Sequence, residues 1–128
     1  MIYEFCAENV TLLEKAMEAG ARRIELCDNL VVGGTTPSYG VTKAAVELAA
    51  NYDTTIMTMI RPRGGDFVYN ELEIAIMLED ILLTAQAGSQ GVVFGVLTAD
   101  KKLDKPNLEK LIAASKGMAI VFHMAFDE

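Results

Sequence analysis

Five short apolar runs, at residues 2–6, 22–27, 54–61, 91–97 and 119–126, alternate with segments whose apolar residues recur at helical spacing. Each run is four to eight residues long and rich in β-branched or other apolar side chains, which suits a buried strand better than a buried helix. Between the first two, Val10, Leu13, Ala16 and Met17 form one helical stripe, with Asn9 as N-cap and Gly20 as the residue past the end. Residues 41–51 form the next helix, with Val41, Ala44, Ala45 and Leu48 inward. Ile74, Met77, Leu78, Ile81 and Leu82 form a third stripe, opened by Asn70 with Glu73 as in a capping box and closed by Gly88. A fourth contains Leu108, Leu111 and Ile112, capped by Asp104, with Pro106 in the first turn where its missing N–H does no harm.

The predicted order is β-α-β-α-β-α-β-α-β. Alternating βα units imply a parallel sheet covered by helices, either an open doubly wound sheet or part of a (β/α)₈ barrel. No G-x-G-x-x-G follows the first strand, so the dinucleotide fold lacks its best signal. A weak repeat favours the barrel: Glu4-Phe5-Cys6 recurs as Glu25-Leu26-Cys27, each at a strand end. Residues i and i+2 of a strand share a face, so each glutamate points the same way as its cysteine. In a doubly wound sheet both faces are apolar layers, and a carboxylate there carries a high desolvation cost. A barrel mouth tolerates it. Four and a half units occupy the 128 residues, so eight units at roughly 28 residues each would need about 230. The expectation is a single domain over residues 1–128, the N-terminal part of a longer TIM barrel or a fragment completed by another chain. Its open strand edges predict self-association, as a homo-oligomer.

Acidic residues outnumber basic ones 18 to 11, a formal charge of −7, which argues against nucleic-acid or anionic-membrane binding. No apolar run approaches the roughly 20 residues of a membrane helix, and Met1-Ile2-Tyr3-Glu4 lacks the basic head of a secretory signal. Two cysteines are no disulfide framework. A cytoplasmic protein with reduced thiols is expected.

The loops following the strands have unusual composition, and in βα barrels this is the end where active sites assemble. After the second strand comes Gly33-Gly34-Thr35-Thr36-Pro37-Ser38-Tyr39-Gly40, and after the third Arg61-Pro62-Arg63-Gly64-Gly65-Asp66-Phe67. The only histidine lies in Phe122-His123-Met124-Ala125-Phe126-Asp127. Together with Glu25-Leu26-Cys27 and Leu78-Glu79-Asp80-Ile81, these motifs resemble the CutC family of copper homeostasis proteins, in order and over nearly the whole chain. The Arg-Pro-Arg-Gly-Gly-Asp-Phe run is the most specific of them. The resemblance implies a cytosolic, copper-handling TIM barrel of well over 200 residues, with Cys6 and Cys27 as the proposed copper ligands. Met124 stands where the family usually has arginine, which puts any anion-binding role of that position in doubt.

Each candidate has a plainer reading beside the functional one. Cys6 and Cys27 lie on neighbouring strands about 4.8 Å apart, and Cu(I), a soft ion, favours such a two-sulfur site. The plainer reading is that both are small buried hydrophobes, a common fate for free cysteine. Met57 and Met59 share a strand face and could add thioethers, or simply fill the core. Glu4, Glu25, His123 and Asp127 are the raw material of acid–base catalysis, or an ion-pair network neutralised by Arg61 and Arg63. Glycine-rich loops beside Arg61, Arg63 and Asp66 could receive a small anionic ligand, although tight turns need glycine regardless. Glu79 and Asp80 read as solvated or salt-bridged helix-face residues. Two functions follow: Cu(I) binding by Cys6 and Cys27, or a barrel enzyme acting on a small polar or anionic substrate.

Overall fold

The computed structural model describes residues 4–122. The elements are β1 (Glu4–Glu8), α1 (Leu13–Glu18), β2 (Arg23–Cys27), a 3₁₀ turn (Leu30–Val32), α2 (Tyr39–Ala49), β3 (Thr55–Met59), α3 (Glu71–Gln86), β4 (Gly91–Phe94), α4 (Lys105–Ala114) and β5 (Ala119–Phe122). All neighbouring strands pair parallel, in the spatial order β1-β2-β3-β4-β5. A doubly wound sheet reverses its strand order at a switch point. Here every crossover steps the same way, which is the winding of a TIM barrel. Among the described residues the sheet does not close on itself; β1 and β5 are its edges.

The outer face of the sheet carries the main core. Ala7, Ile24, Leu26 and Ile56 pack with Leu13, Ala16 and Met17 of α1 and Ala45 and Ala49 of α2. Further along, Val92 and Phe94 pack with Ile74, Met77 and Ile81 of α3 and Leu111 of α4. The inner face has a smaller cluster of Cys27, Met57, Met59 and Val93. Two faces of unlike composition follow from period-2 alternation along strands whose partners sit in register.

Two helix starts are as expected. Asn70 Oδ1 accepts from Glu73 N–H while Glu73 Oε1 accepts from Asn70 N–H, a capping box that opens the 16-residue α3. Asp104 accepts from Asn107 N–H ahead of Pro106. The first helix departs from expectation. Asn9 is not its N-cap: it adopts φ 62°, and its own Oδ1 receives the Val10 N–H. A second left-handed residue, Leu12, precedes Leu13, so α1 is only six residues long and Val10 is left exposed. β1 correspondingly ends at Glu8, two residues beyond the predicted end. Ser38 caps α2 by accepting from Val41 N–H, and Thr42, Ala45 and Ala49 are its buried face; Ala44 is exposed. Leu82 and Ile112 also face solvent rather than the core.

Candidate functional site

Register places the two cysteines diagonally, not side by side. Cys6 pairs with Glu25 and Glu8 pairs with Cys27. Between them lies the Ala7–Leu26 pair, whose side chains belong to the outer core. Cys6, Glu8, Glu25 and Cys27 therefore share the inner face as a checkerboard, thiols on one diagonal and carboxylates on the other. Cys6 is exposed and Cys27 is 1% exposed, and no disulfide joins them. Glu8 joins this face because β1 runs two residues past Cys6, where the apolar run of the sequence ends. Its Oε1 accepts from Leu30 N–H at 2.6 Å and so anchors the turn after β2.

Burial dominates the chemistry of Cys27. Desolvation, followed by the nearby Cys6, Glu25, Glu8 and Asp28, pushes its pKa up to about 12. The resting group is a neutral thiol, and it donates to Ala7 O at 3.5 Å. Beside it stand the thioethers of Met57 and Met59 in the inner cluster. A cavity of about 70 Å³ opens deeper on the same face, lined by Arg23, Glu25, Met57, Val93 and Val121. No group of three or more His, Cys, Asp or Glu side chains among the described residues converges on a metal position. Any soft-metal site here must rest on sulfur pairs, which Cu(I) accepts at low coordination number.

Glu4 opens β1 in register with Arg23. His123 and Asp127 lie outside the described residues, as does Met124. The expected neutralisation of these acids by Arg61 and Arg63 takes another form. Arg63 forms a two-point pair with Glu73 (2.5 and 3.3 Å), reaches Asp66 at 3.2 Å, and stacks on Tyr69. It ties the β3–α3 loop to the first turn of α3. That pairing holds the Glu73 carboxyl below its usual range. Asp66 Oδ1 also accepts from Val68 N–H.

Arg61 is 4% exposed, and its hydrogen-bond acceptors are backbone carbonyls: Val32 O (2.6 Å) and Gly34 O (2.9 Å) through Nη1, Gly65 O (2.9 Å) through Nη2. Its guanidinium also lies over the Phe67 ring. The two glycine-rich loops thus turn carbonyls toward an arginine. In the same segment the Gly33 and Gly34 N–H groups donate to Leu30 O and Asn29 O. Arg61 Nε and Tyr69 Oη are both buried and make no hydrogen bond of regular geometry among the described residues; burial raises the Tyr69 hydroxyl pKa, and the neighbouring Arg61 and Arg63 act against that rise. Both arginine–aromatic pairs are spaced six residues apart, Arg61 with Phe67 and Arg63 with Tyr69, a spacing that the sequence itself carries. Asp80 is partly buried, and burial together with Glu79 raises its carboxyl above the usual range.

Residues 1–128 match the profile of the CutC family from end to end. A CutC family protein of Streptococcus pyogenes is 56% identical over 127 residues, covering 99% of this chain and 61% of the relative. One from Enterococcus faecalis is 51% identical over the same span, with the same coverage. The crystal structure of a CutC protein from Streptococcus agalactiae, a protein named for copper homeostasis, superposes with a TM-score of 0.95 at 50% identity, over 99% of this chain and 60% of that one. The chain spans about three fifths of the length of each of these three relatives.

Proposed function

Since this chain belongs to the CutC family, we propose that it serves copper homeostasis in the cytoplasm by binding one Cu(I) between the Cys6 and Cys27 thiolates. The observation that carries this reading is the placement of both thiols on one inner face, diagonal across two paired strands, with the Met57 and Met59 thioethers beside Cys27. Thiolate and thioether are the donors Cu(I) prefers, and two of them suffice for it. The carboxylate-bearing residues Glu8 and Glu25 share that face with the thiols.

Coordination by the Cys27 thiolate releases the proton that this group carries at rest. Cys6, exposed, is the first contact for incoming copper; Cys27, buried, completes the pair.

An anaerobic Cu(I) competition titration on the whole protein, wild type beside Cys6→Ser and Cys27→Ser, tests the reading. The expected result is one tightly held ion, lost in both variants. Weak binding indifferent to either substitution overturns it.

A further inference from the structure

We infer that Arg61 is the positioning residue that holds Gly34 over the Cys27 thiol, so that the β2–α2 loop is a latch controlling access to this cysteine. The inference deepens the copper reading and rests on it for its purpose, while the latch itself is testable without metal.

The loop doubles back immediately after β2. Asp28 and Thr35 exchange two backbone hydrogen bonds, Asp28 N–H to Thr35 O at 2.9 Å and Thr35 N–H to Asp28 O at 2.7 Å. That fold-back brings Gly34 against the thiol it follows: a Cβ built on Gly34 would lie 3.2 Å from both Cβ and Sγ of Cys27 and 3.6 Å from Met59 Cε. Gly34 has φ +97°, so a side chain there is unfavourable on conformation as well as space. The backbone itself is what covers Cys27.

Arg61 holds that backbone down. Its Nη1 takes the carbonyls on either side of the Gly33 turn, Val32 O and Gly34 O, and its Nη2 takes Gly65 O from the next loop. Thr36 Oγ1 receives the Arg61 N–H at 2.8 Å, and Thr36 N–H donates to Arg61 O at 3.0 Å. The two loops also interlock sterically, since a Cβ on Gly64 would stand 2.8 Å from Val32 Cβ. The planar fork of a guanidinium bridges three carbonyls at fixed angles, which a lysine ammonium does not reproduce. Remove the fork, and the 30–36 segment loses its charge-assisted tie while the outer core beneath remains intact. Opening of this loop then becomes a local event that exposes Cys27 without global unfolding.

The test measures alkylation of Cys27 by iodoacetamide in the metal-free whole protein, in a Cys6→Ser background so that Cys27 alone reports. Arg61→Met and Arg61→Lys are compared with their parent and with Leu111→Ala, a destabilised control in the distant α4 core. Arg61→Met is expected to raise the Cys27 rate about tenfold or more, the effect of losing charge-assisted hydrogen bonds from a local opening equilibrium. Arg61→Lys should fall between, and Leu111→Ala should raise the rate far less than Arg61→Met at matched loss of Tm. Thr36→Val, which removes the hydroxyl that accepts from Arg61 N–H while keeping the Thr36 N–H bond to Arg61 O and the guanidinium, gives a second reading should Arg61→Met fail to fold; a rise above the Leu111→Ala rate, smaller than that of Arg61→Met, is expected. Folded variants of Arg61 and Thr36 that label Cys27 no faster than Leu111→Ala overturn the latch. Because no metal is present, that result leaves the copper reading standing, and a failed copper titration leaves the latch standing.

Discussion

On its outer face the sheet buries Ile24, Leu26, Ile56, Val92 and Phe94 beneath helices, every one aliphatic or aromatic. On its inner face the same strands carry Cys6, Glu25, Cys27, Met57 and Met59. Desolvation alone explains the first set, and any apolar residue of suitable volume would serve there. It does not explain the second, where carboxylates flank thiols and a buried thiol is driven far from ionisation. The outer face makes a βα barrel possible; the inner face makes this one a particular protein. Substitutions on the two faces should accordingly separate stability from site chemistry.

The largest effect is expected on the outer face. Ile56 is fully buried in the core between β1–β3 and the first two helices. Ile56→Ala should cost about 3 kcal/mol of stability, the transfer energy of the lost carbons plus the residual cavity. Urea denaturation measures it, and Cu(I) affinity of the folded variant should be unchanged. A fall in affinity without a comparable loss of stability would break the division between faces.

Gly91 sharpens the inner side of the comparison. A Cβ there would collide with Sδ and Cε of Met57 and stand 2.7 Å from the Ala119 carbonyl, a backbone atom with little room to yield. Gly91→Ala should cost about 1–3 kcal/mol by overpacking and displace Met57 within the inner cluster. Denaturation midpoints report the first effect and the Met57 methyl NMR signal the second. A neutral substitution would mean that the inner face is loosely packed.

How far the sequence revealed this division follows from physical range. Five strands, four helices and the barrel winding were legible because period-2 and 3.6-residue patterns are local and repeated. The Asn70–Glu73 box was legible for the same reason: its partners are three residues apart. The repeated Glu-x-Cys correctly put thiol and carboxylate on one face. It could not give the diagonal, since register depends on the tilt of one strand against the next. Asn9 misled because a residue good at capping is equally good at the left-handed conformation it adopts. The contacts of Arg61 were the least legible: its glycine neighbours are visible in the sequence, but the three carbonyls its guanidinium holds come from two separate loops and are brought together only by the tertiary fold.

Cys27 and Glu73 respond to pH in opposite directions. The Cys27 thiol is pushed up to about 12 from an ordinary 9.0. Above pH 9 the unfolded chain loses this proton and the folded chain keeps it, so the contribution is complete below pH 9 and is lost as pH rises toward 12. Wild type should therefore lose more stability than Cys27→Ala between pH 8 and roughly 10.5, their other titrating groups being shared. Urea midpoints across that range check it, and parallel curves would remove the claim that Cys27 rests as a buried thiol.

The smallest effect belongs to Glu73, which faces neither side of the sheet but joins the β3–α3 loop to α3 through Arg63. Arg63 and the Asn70 N–H lower its carboxyl from 4.5. In the acid range the unfolded chain takes up the proton first, so this contribution is present above pH 4.5 and disappears as pH falls through the folded value. Glu73→Gln removes the charge while a Gln at this position can still serve the capping box. The variant should melt slightly below wild type at neutral pH and converge with it in acid, as thermal scans at pH 7 and about 3 would read. An equal gap at both values would assign the loss to geometry instead of charge. Because Arg63 is also tied to Gly64 O, Asp66 O and Val68 O, the loop itself should stay folded in Glu73→Gln. The Cys27 thiol, covered through Arg61 and not Arg63, should then label at the wild-type rate.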